Sequence, residues 1–339
     1  MPTVAQGSLA LVTGASGHLG THLVQTLLES GFRVRATVRS EAKGQYLQSL
    51  FPNKPLELAI VPDMSKDGAY DAAVVGVDGV VHNASPVTVD HAGDPQDIIG
   101  PAVKGVTGLL ASLNSHNPTV KRVVQISSIA AVGIPFSGPV TVTEESWNDA
   151  DVETCEKEGA AAPSYVKYQA SKVAAERAFW AYFKDGKSAF DGATILPALI
   201  MGPFQQYTTG GGDLGGSAGM IKAVLSTGLP PTNNAESVYN LVDPRDIARG
   251  AILALTKQQA GGNRYILSAG PQWVNDYAKV AAEYFADKFP QAKPNNDPAF
   301  GQDLESKAVV LDGSKITREL GLKYTPKLVT IKDTVAALV

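Results

Sequence analysis

The chain has 339 residues, a length typical of about two domains and ample for a full hydrophobic core. Lys and Arg total 29 against 33 Asp and Glu, so the net charge is −4 and no general attraction for nucleic acid is expected. The single cysteine, Cys155, cannot form an intrachain disulfide, which excludes a small disulfide-stapled scaffold.

The apolar stretches are too short to cross a membrane. The longest, Ala193 to Phe204, is interrupted by Pro197, Gly202 and Pro203 and falls short of the ~20 residues that a bilayer requires. The opening MPTVAQGS lacks the basic and apolar regions of a secretory leader. We therefore expect a cytoplasmic protein without a membrane partner.

The first elements in chain order predict a βαβ unit with a glycine-rich turn. From Leu9, LALVTGASGHLG passes from an apolar strand into the turn, and leucines then recur at helical spacing as far as Gly31. Small residues at this junction let the backbone approach a pyrophosphate, which the helix N-terminus would face. The turn predicts dinucleotide binding; the alternatives are a tight turn without a ligand and, for His18, plain packing. The predicted cofactor residues here are Gly14, Ser16, Gly17, His18, Leu19 and Gly20.

The end of the second strand indicates which dinucleotide is bound. Enzymes that use NAD usually place a carboxylate there for the ribose hydroxyls, whereas this strand ends ATVRS and reaches Glu41 only afterwards. Arg39 and Lys43 offer positive charge, and a guanidinium suits a 2′-phosphate. We expect NADP(H) rather than NAD; the alternative is that Arg39 faces only water.

Further apolar stretches predict strands, with helical stretches between most of them. These strands are Leu56–Val61, Gly79–His82, Arg122–Ser127 and Ala193–Leu199. Strands that alternate with helices at this pitch favour an α/β fold with a doubly wound parallel sheet, the Rossmann arrangement. Such strands are covered on both faces, in keeping with the uniformly apolar segment ATILPAL.

A serine, a tyrosine and a lysine form the candidate catalytic set. The strand VVQISS ends in Ser127 and Ser128, and Tyr168 and Lys172 follow on a predicted helix with i, i+4 spacing, hence on one face. A nearby ammonium lowers the pKa of a phenol. We expect Tyr168 to protonate a carbonyl oxygen, Ser128 to hydrogen-bond that oxygen, and Lys172 also to bind the nicotinamide ribose.

Similar patterns elsewhere are weaker. Tyr284 and Lys288 share the i, i+4 spacing but have no serine-ended strand upstream, which favours an ordinary amphipathic helix. The segment 215–219 fits G-x-S-x-G, yet a glycine-rich loop rather than a strand precedes Ser217, and every histidine lies upstream. No histidine has a partner at metal-ligand spacing, so no metal site is predicted.

The composition of the sequence changes after Pro197. Seven glycines lie between Gly202 and Gly219, without helical period until Met220, and we interpret this stretch as a mobile segment over the site. A strand, a helix and the strand RYILSA follow, then helices near 273–288 and 333–338. We expect residues 1–196 and 237–268 to form the dinucleotide-binding domain, and residues 197–236 and 269–339 a smaller, interleaved substrate lobe.

Seven segments in order along most of the chain resemble the extended short-chain dehydrogenase/reductase family. They are TGASGHLG, VRATVRS, VPDM, ISS, YQASK, LPALIMGP and NLVDPRDIA. Within that family the chain is most similar to fungal NADPH-dependent carbonyl reductases and to plant dihydroflavonol and cinnamoyl-CoA reductases. The resemblance implies the catalytic set Ser128, Tyr168 and Lys172.

The resemblance also implies further cofactor contacts. Arg39 and Lys43 would bind the 2′-phosphate, Asp63 and Met64 would lie beside the adenine, and Ile200 would lie near the nicotinamide amide. Many relatives carry an asparagine where this chain has Lys104, which leaves a proton relay through that position in doubt. In relatives, the helices near Lys104 and Tyr168 pair two copies, which implies a homodimer by analogy.

These features predict an NADPH-dependent reductase of aldehydes or ketones. The alternatives are a redox-sensing regulator that binds NADP(H) without turnover, and a sugar-nucleotide epimerase or dehydratase. The expected substrate walls are residues 85–89, 134–138 and 204–209, in which Phe136, Phe204 and Tyr207 favour an apolar or aromatic small molecule.

Overall fold

The computed structural model describes residues 3–86, 91–133, 140–184, 186, 188–206, 216–228, 238–298 and 309–339. Its strands are β1 (Leu9–Thr13), β2 (Arg33–Val38), β3 (Leu56–Ile60), β4 (Gly79–His82), β5 (Arg122–Ile126), β6 (Thr141–Val142), β7 (Asp191–Pro197), β8 (Leu199–Ile200), β9 (Val238–Val242), β10 (Arg264–Leu267), β11 (Pro271–Trp273) and β12 (Val310–Leu311).

The helices are α1 (His18–Glu29), α2 (Glu41–Leu50), α3 (Asp71–Val74), α4 (Gln96–His116), α5 (Asp149–Glu158), α6 (Ser164–Tyr182), α7 (Gly216–Thr227), α8 (Pro244–Thr256), α9 (Val274–Tyr284), α10 (Ser314–Leu320) and α11 (Lys327–Ala336). Short 3-10 turns occupy Ile129–Ala131, Gly159–Ala161 and Gln258–Ala260.

A parallel sheet forms the centre of the molecule. Within the described residues it has seven strands in the order β10-β7-β5-β4-β1-β2-β3, with the chain reversing direction of travel across the sheet beside β1. The predicted doubly wound α/β fold is confirmed. Sites in such sheets form at the carboxyl ends of the strands around this reversal, so the glycine turn after β1 lies where a ligand is expected.

Apolar side chains cover both faces of the sheet. Alternate residues of β1 face opposite sides: Val12 packs in one core with α1 and α8, and Leu11 packs in the other with α4 and α6. Both β1 residues are fully buried, as expected for a strand with helices on each face. No helix in the described ranges is both long and apolar enough to span a membrane.

A smaller apolar core lies beyond the end of β7. Strands β11, β9 and β8 form its sheet, and α7, α9 and α11 contribute Leu225, Tyr277 and Val335. Helix α10, from the segment assigned to the substrate lobe, instead packs Ile316 and Leu320 into a core of the large sheet. The division of the chain into two lobes remains a prediction.

The glycine-rich stretch after Pro197 is described only in part. Residues 207–215 lie outside the described ranges, and so does the core of the segment interpreted as mobile. Helix α7 begins at Gly216, four residues earlier than the helical period indicated. The hydroxyl of Ser217 in its first turn donates to the Ile200 carbonyl at 2.5 Å, which ties this helix to β8.

Candidate active site

The junction of β1 and α1 has no room for side chains at two glycines, one in the turn and one in the first turn of the helix. Gly14 has a φ of +66°, and a Cβ there would lie 3.0 Å from the Ala84 Cα. A Cβ on Gly20 would lie 2.2 Å from the Gly14 carbonyl oxygen. The backbone therefore keeps this close approach only with glycine at both positions.

The start of α1 suits an anion. Gly17 is the N-cap residue, so no side chain caps the first amides, and the first turn carries no acidic residue. Unpaired amides and the positive end of the helix dipole then face the same space. Ser16 is half-buried there, while the side chain of Leu19 is buried in the core and leaves only its backbone for a ligand. This cradle fits a dinucleotide pyrophosphate.

Two histidines of α1 reach the segment that follows β8. The Nε2 atoms of His18 and His22 lie 3.3 Å and 2.9 Å from the carbonyl oxygen of Pro203, and the His18 ring packs 4.7 Å from that of Phe204. Burial, with His22 as a second cause, lowers the pKa of His18 to about 4. His18 thus joins the nucleotide cradle to the Pro203 segment as a neutral imidazole at pH 7.

Arg39 and Lys43 lie at the carboxyl end of β2. Arg39 is exposed directly after the strand, and Lys43 is partly exposed in the first turn of α2. Asp63, after β3, is also exposed and accepts hydrogen bonds from Ser65 that lower the pKa of its carboxyl group. Two cations at this edge fit a phosphate at the adenosine end of a dinucleotide.

Met64 packs against α4. A Cβ on Gly105 would come within 3.0 Å of the Met64 Cε atom, so the thioether lies against the helix backbone there. The neighbouring Lys104 is on the exposed side of α4.

The structure brings Ser128, Tyr168 and Lys172 together. Ser128 follows β5, where its Oγ accepts from the Ala130 amide at 3.2 Å, and it also hydrogen-bonds Tyr168. One helical turn beyond Tyr168, Lys172 is 7% exposed, and its Nζ lies 5.4 Å from the centroid of the phenol ring. That ammonium donates to the Ser85 Oγ at 2.7 Å.

The expected lowering of the phenol pKa does not hold for the protein alone. Burial raises the pKa of Tyr168, and the hydrogen bond from Ser128 only opposes this effect. Burial also lowers the pKa of Lys172, to about 8. At pH 7 the pair is therefore a neutral phenol beside an ammonium, the state in which Tyr168 can give up a proton.

Glu176 fixes the helix that carries the pair. This carboxylate is fully buried on α6, where it accepts from Ser127 at 2.7 Å, from Thr194 at 2.9 Å and from Arg264 at 2.8 Å. Strands β7 and β10 and the residue that follows β5 are thus joined to α6. Sequence analysis missed Glu176, although it continues the i, i+4 series of Tyr168 and Lys172.

The remaining candidates fall into two groups. Ile200, on β8, is half-buried and accepts from Ser217, which is therefore engaged with backbone rather than placed as a hydrolase nucleophile. Of the expected substrate walls, residues 87–89, 134–138 and 207–209, with Phe136 and Tyr207, lie outside the described ranges. Phe204 and Ser85 are described.

Comparisons with known proteins agree with this geometry. A sequence model of the NAD dependent epimerase/dehydratase family matches residues 10–270. The chain is 32% identical to the ketoreductase azaE of Aspergillus niger, covering 98% of each chain. It is 34% identical to the cinnamoyl-CoA reductase CAD2 of Medicago truncatula, covering 98% of this chain and 96% of that one.

Among solved structures, yeast methylglyoxal/isovaleraldehyde reductase Gre2, complexed with NADPH, superposes with a TM-score of 0.85. The two sequences are 28% identical, and the superposition covers 97% of this chain and 98% of the Gre2 chain. The resemblance to extended short-chain dehydrogenases/reductases is confirmed: the chain belongs to the NAD dependent epimerase/dehydratase family.

Proposed function

We propose that this chain reduces an aldehyde or ketone to an alcohol with hydride from NADPH, and that Tyr168 donates the proton. The observation that carries the proposal is the cluster of Ser128, Tyr168 and Lys172 at the sheet edge that also holds the glycine turn. The enzyme class, an NADP-dependent oxidoreductase, is supported by relatives named as reductases over nearly the whole chain and by the NADPH complex of Gre2.

NADPH, when bound, supplies the hydride. The amides at the start of α1 would hold the pyrophosphate, Arg39 and Lys43 the 2′-phosphate, and Asp63 and Met64 the adenine end. Ile200 would lie near the nicotinamide amide, and Lys172 would hydrogen-bond the nicotinamide ribose. The exposed cations after β2 support the choice of NADPH over NADH.

The three catalytic side chains act on the carbonyl in different ways. The Ser128 hydroxyl donates to the carbonyl oxygen of the substrate and so stabilises the negative charge that develops there. The Tyr168 phenol gives its proton to that oxygen as the carbon accepts the hydride. The Lys172 ammonium, positive at pH 7, stabilises the phenolate that remains until solvent returns the proton.

The substrate is a small carbonyl compound with an apolar or aromatic group. Phe204, half-buried on the segment that His18 and His22 contact, is the described aromatic side chain of the expected walls. Its contact with His18 supports an apolar wall beside the nucleotide cradle. A substrate lobe from residues 197–236 and 269–339, and a homodimer, belong to the same proposal.

Consumption of NADPH with aldehydes, α-ketoesters and aryl ketones tests the proposal. Tyr168→Phe should remove turnover with at least one of these compounds while NADPH still binds, as measured by quenching of tryptophan fluorescence. A Tyr168→Phe protein that turns over at the wild-type rate would reject Tyr168 as the acid. Tight NADPH binding without consumption on any carbonyl would instead favour the redox sensor.

A further inference from the structure

A small cavity lies beside Lys172. It is enclosed by β4, β5, α4 and α6, and the polar groups that line it come from His82, Ser85, Gln125, Ser127 and Lys172. About 10 Å³ is open to the centre of a water molecule, which is room for one water and too little for a substrate.

Two buried polar atoms of this cavity have no hydrogen-bond partner among the described residues. They are the Nε2 of His82 and the Oε1 of Gln125, whose side chains are 2% and 4% exposed. His82 and Gln125 are register partners on the adjacent parallel strands β4 and β5, so both project from the same face of the sheet. A buried polar group without a partner costs about 1–3 kcal/mol, so two such atoms beside one small cavity call for a shared partner.

Hydrogen-bond accounting fixes which nitrogen of His82 carries the proton. The Thr13 Oγ1 accepts from the amides of Asn83 and Ala84, both at 3.0 Å, so its own hydrogen is left for the His82 Nδ1 at 2.8 Å. The His82 Nδ1 is therefore the acceptor, and in the neutral ring the Nε2 is a donor directed toward the cavity. Burial, followed by the charge of Lys172, lowers the pKa of His82 to about 4, so the ring is neutral at pH 7.

We propose that this cavity is a binding site for one structural water, which accepts from the His82 Nε2 and the Lys172 Nζ and donates to the Gln125 Oε1. The second hydrogen of the water faces the hydroxyl oxygens of Ser85 and Ser127, which completes four hydrogen bonds. His82 and Gln125 then act as positioning residues for the Lys172 ammonium. Their effect on catalysis rests on the proposed role of Lys172 in carbonyl reduction.

The water stabilises the charged form of Lys172. The ammonium has three hydrogens; one goes to Ser85, and the water takes a second, which leaves the third for the nicotinamide ribose. Without the water, the buried ammonium loses an acceptor, and its pKa falls further below the ordinary value for lysine.

The surroundings contain few other ionisable groups. On α6 these are Tyr168 and Glu176, and Glu176 is engaged with Arg264. From the neighbourhood of α3, Tyr70 packs edge-on to His82 with ring centroids 6.2 Å apart, and burial raises its pKa. The lining residues from α4 are Ala102 and Val106, and those from β5 are uncharged.

A high-resolution crystal structure of the full chain tests the site without reference to turnover. We expect an ordered water within about 3.2 Å of the His82 Nε2, the Gln125 Oε1 and the Lys172 Nζ. Nitrogen-15 NMR of histidine-labelled protein should show His82 neutral and protonated on Nε2 at pH 7. A direct His82–Gln125 hydrogen bond, or a proton on Nδ1, would overturn the proposal.

Matched variants test the effect on Lys172. His82→Asn places an amide oxygen near the Nδ1 position and keeps the Thr13 bond but removes the donor to the water; His82→Gln carries an amide N–H to the Nε2 position. We expect His82→Asn to lower kcat by about tenfold, as loss of a group that orients a catalytic residue typically does, and His82→Gln to restore most of it. The alkaline limb of the kcat profile should move to lower pH in His82→Asn, with KM for the carbonyl unchanged.

Gln125→Met removes the acceptor at similar side-chain volume and should reproduce the kcat loss and the pH shift. Gln272→Met is the control, because Gln272 is another buried glutamine with an unpartnered Oε1 among the described residues, on β11 in the small core. Equal losses in His82→Asn and His82→Gln without a pH shift, or the same pH shift in Gln272→Met, would show a merely structural role. If the wild-type chain reduces no carbonyl, the proposed function fails, while the crystallographic and NMR results still decide the water site.

Discussion

Two tyrosine-lysine pairs share the i, i+4 spacing, and the structure treats them differently. Tyr168 and Lys172 lie within α6, and Lys172 is buried with its ammonium on Ser85. Helix α9 ends at Tyr284, so Lys288 lies beyond the helix; the Tyr284 side chain is 47% exposed, and Lys332 rather than Lys288 lies over its ring, at 3.5 Å. Lys288 itself is within 3.9 Å of Asp287.

The contrast shows that an i, i+4 tyrosine-lysine pair forms a candidate catalytic site only under two structural conditions. The helix must continue through both residues, and the face that they share must lie against the carboxyl ends of the sheet. On α6 both conditions hold, and Glu176 extends the same face into the sheet. The conditions fail for the second pair: Lys288 lies beyond the end of α9, and both Tyr284 and Lys288 are exposed at the surface.

The largest expected effect is the loss of turnover in Tyr168→Phe, and its absence would contradict the distinction between the two tyrosine-lysine pairs. Tyr168→Phe should lower kcat for carbonyl reduction by about 10³-fold, because the proton donor is lost while the ring remains. Tyr284→Phe removes a hydroxyl from the other pair and should leave kcat unchanged. Steady-state NADPH oxidation measures both, and similar rates in the two variants would mean that burial at the sheet edge does not select the acid.

A second prediction extends the contrast from helix faces to sheet edges. Arg39→Asp, at the carboxyl end of β2, should lower kcat/KM for NADPH by about 100-fold and improve the use of NADH, since a charge-assisted contact to phosphate becomes a repulsion. Lys54→Asp makes the same change in charge ahead of β3, at the opposite edge, and should leave the preference intact. Retention of the NADPH preference in Arg39→Asp would place the 2′-phosphate elsewhere.

The lysines of the two pairs should differ in their effect on stability. Because burial lowers the pKa of Lys172 from 10.5 to about 8, its protonation opposes folding at pH 7. Lys172→Met should therefore raise the free energy of unfolding at pH 7 by about 3 kcal/mol, although it abolishes activity. The cost is fully present below pH 8 and vanishes as the pH rises to 10.5, so the gain should fade across that window.

Denaturant unfolding at several pH values measures this gain. Lys288→Met, in which an exposed ammonium is removed, provides the reference and should change stability little at any of them. A Lys172→Met protein that is less stable than wild type at pH 7 would mean that partners compensate the buried charge.

The smallest expected effect is on the pH profile of turnover. Lys172 is an ammonium below its pKa of about 8 and neutral above it, so kcat/KM for carbonyl reduction should fall about tenfold per pH unit above that value. A rate that stays flat well into the alkaline range would show that the lysine charge is not required. Stopped assays with fixed NADPH at each pH measure it.

Local patterns were enough to predict the fold and the residues that meet at the candidate site. The glycine turn, the apolar strands and the i, i+4 pair each reflect short-range geometry, and parallel strands bring their carboxyl ends to one edge. The surroundings of Lys172 could not be predicted from the sequence, because Ser85 follows β4 and Gln125 lies on β5, and their proximity to α6 depends on the order and register of the sheet. For the same reason the sequence identified His82 only as the end of a strand.

The predicted lowering of the Tyr168 pKa was wrong for the protein alone, and the reason is related. Spacing shows that an ammonium is one turn away, but it does not show how much water the fold removes from Tyr168. Nor does spacing show that His18 and His22 both contact the Pro203 carbonyl, since Pro203 is far from the two histidines in sequence. Where environment rather than spacing decides a property, coordinates are needed.

The buried carboxylate of Glu176 has a practical consequence for engineering. Its partners Ser127, Thr194 and Arg264 all belong to the large sheet and the residues next to it, so these contacts hold α6 independently of the predicted substrate walls. A designer who grafts other wall segments onto this scaffold can therefore keep the orientation of α6, as long as Ser85, the partner of Lys172, is retained.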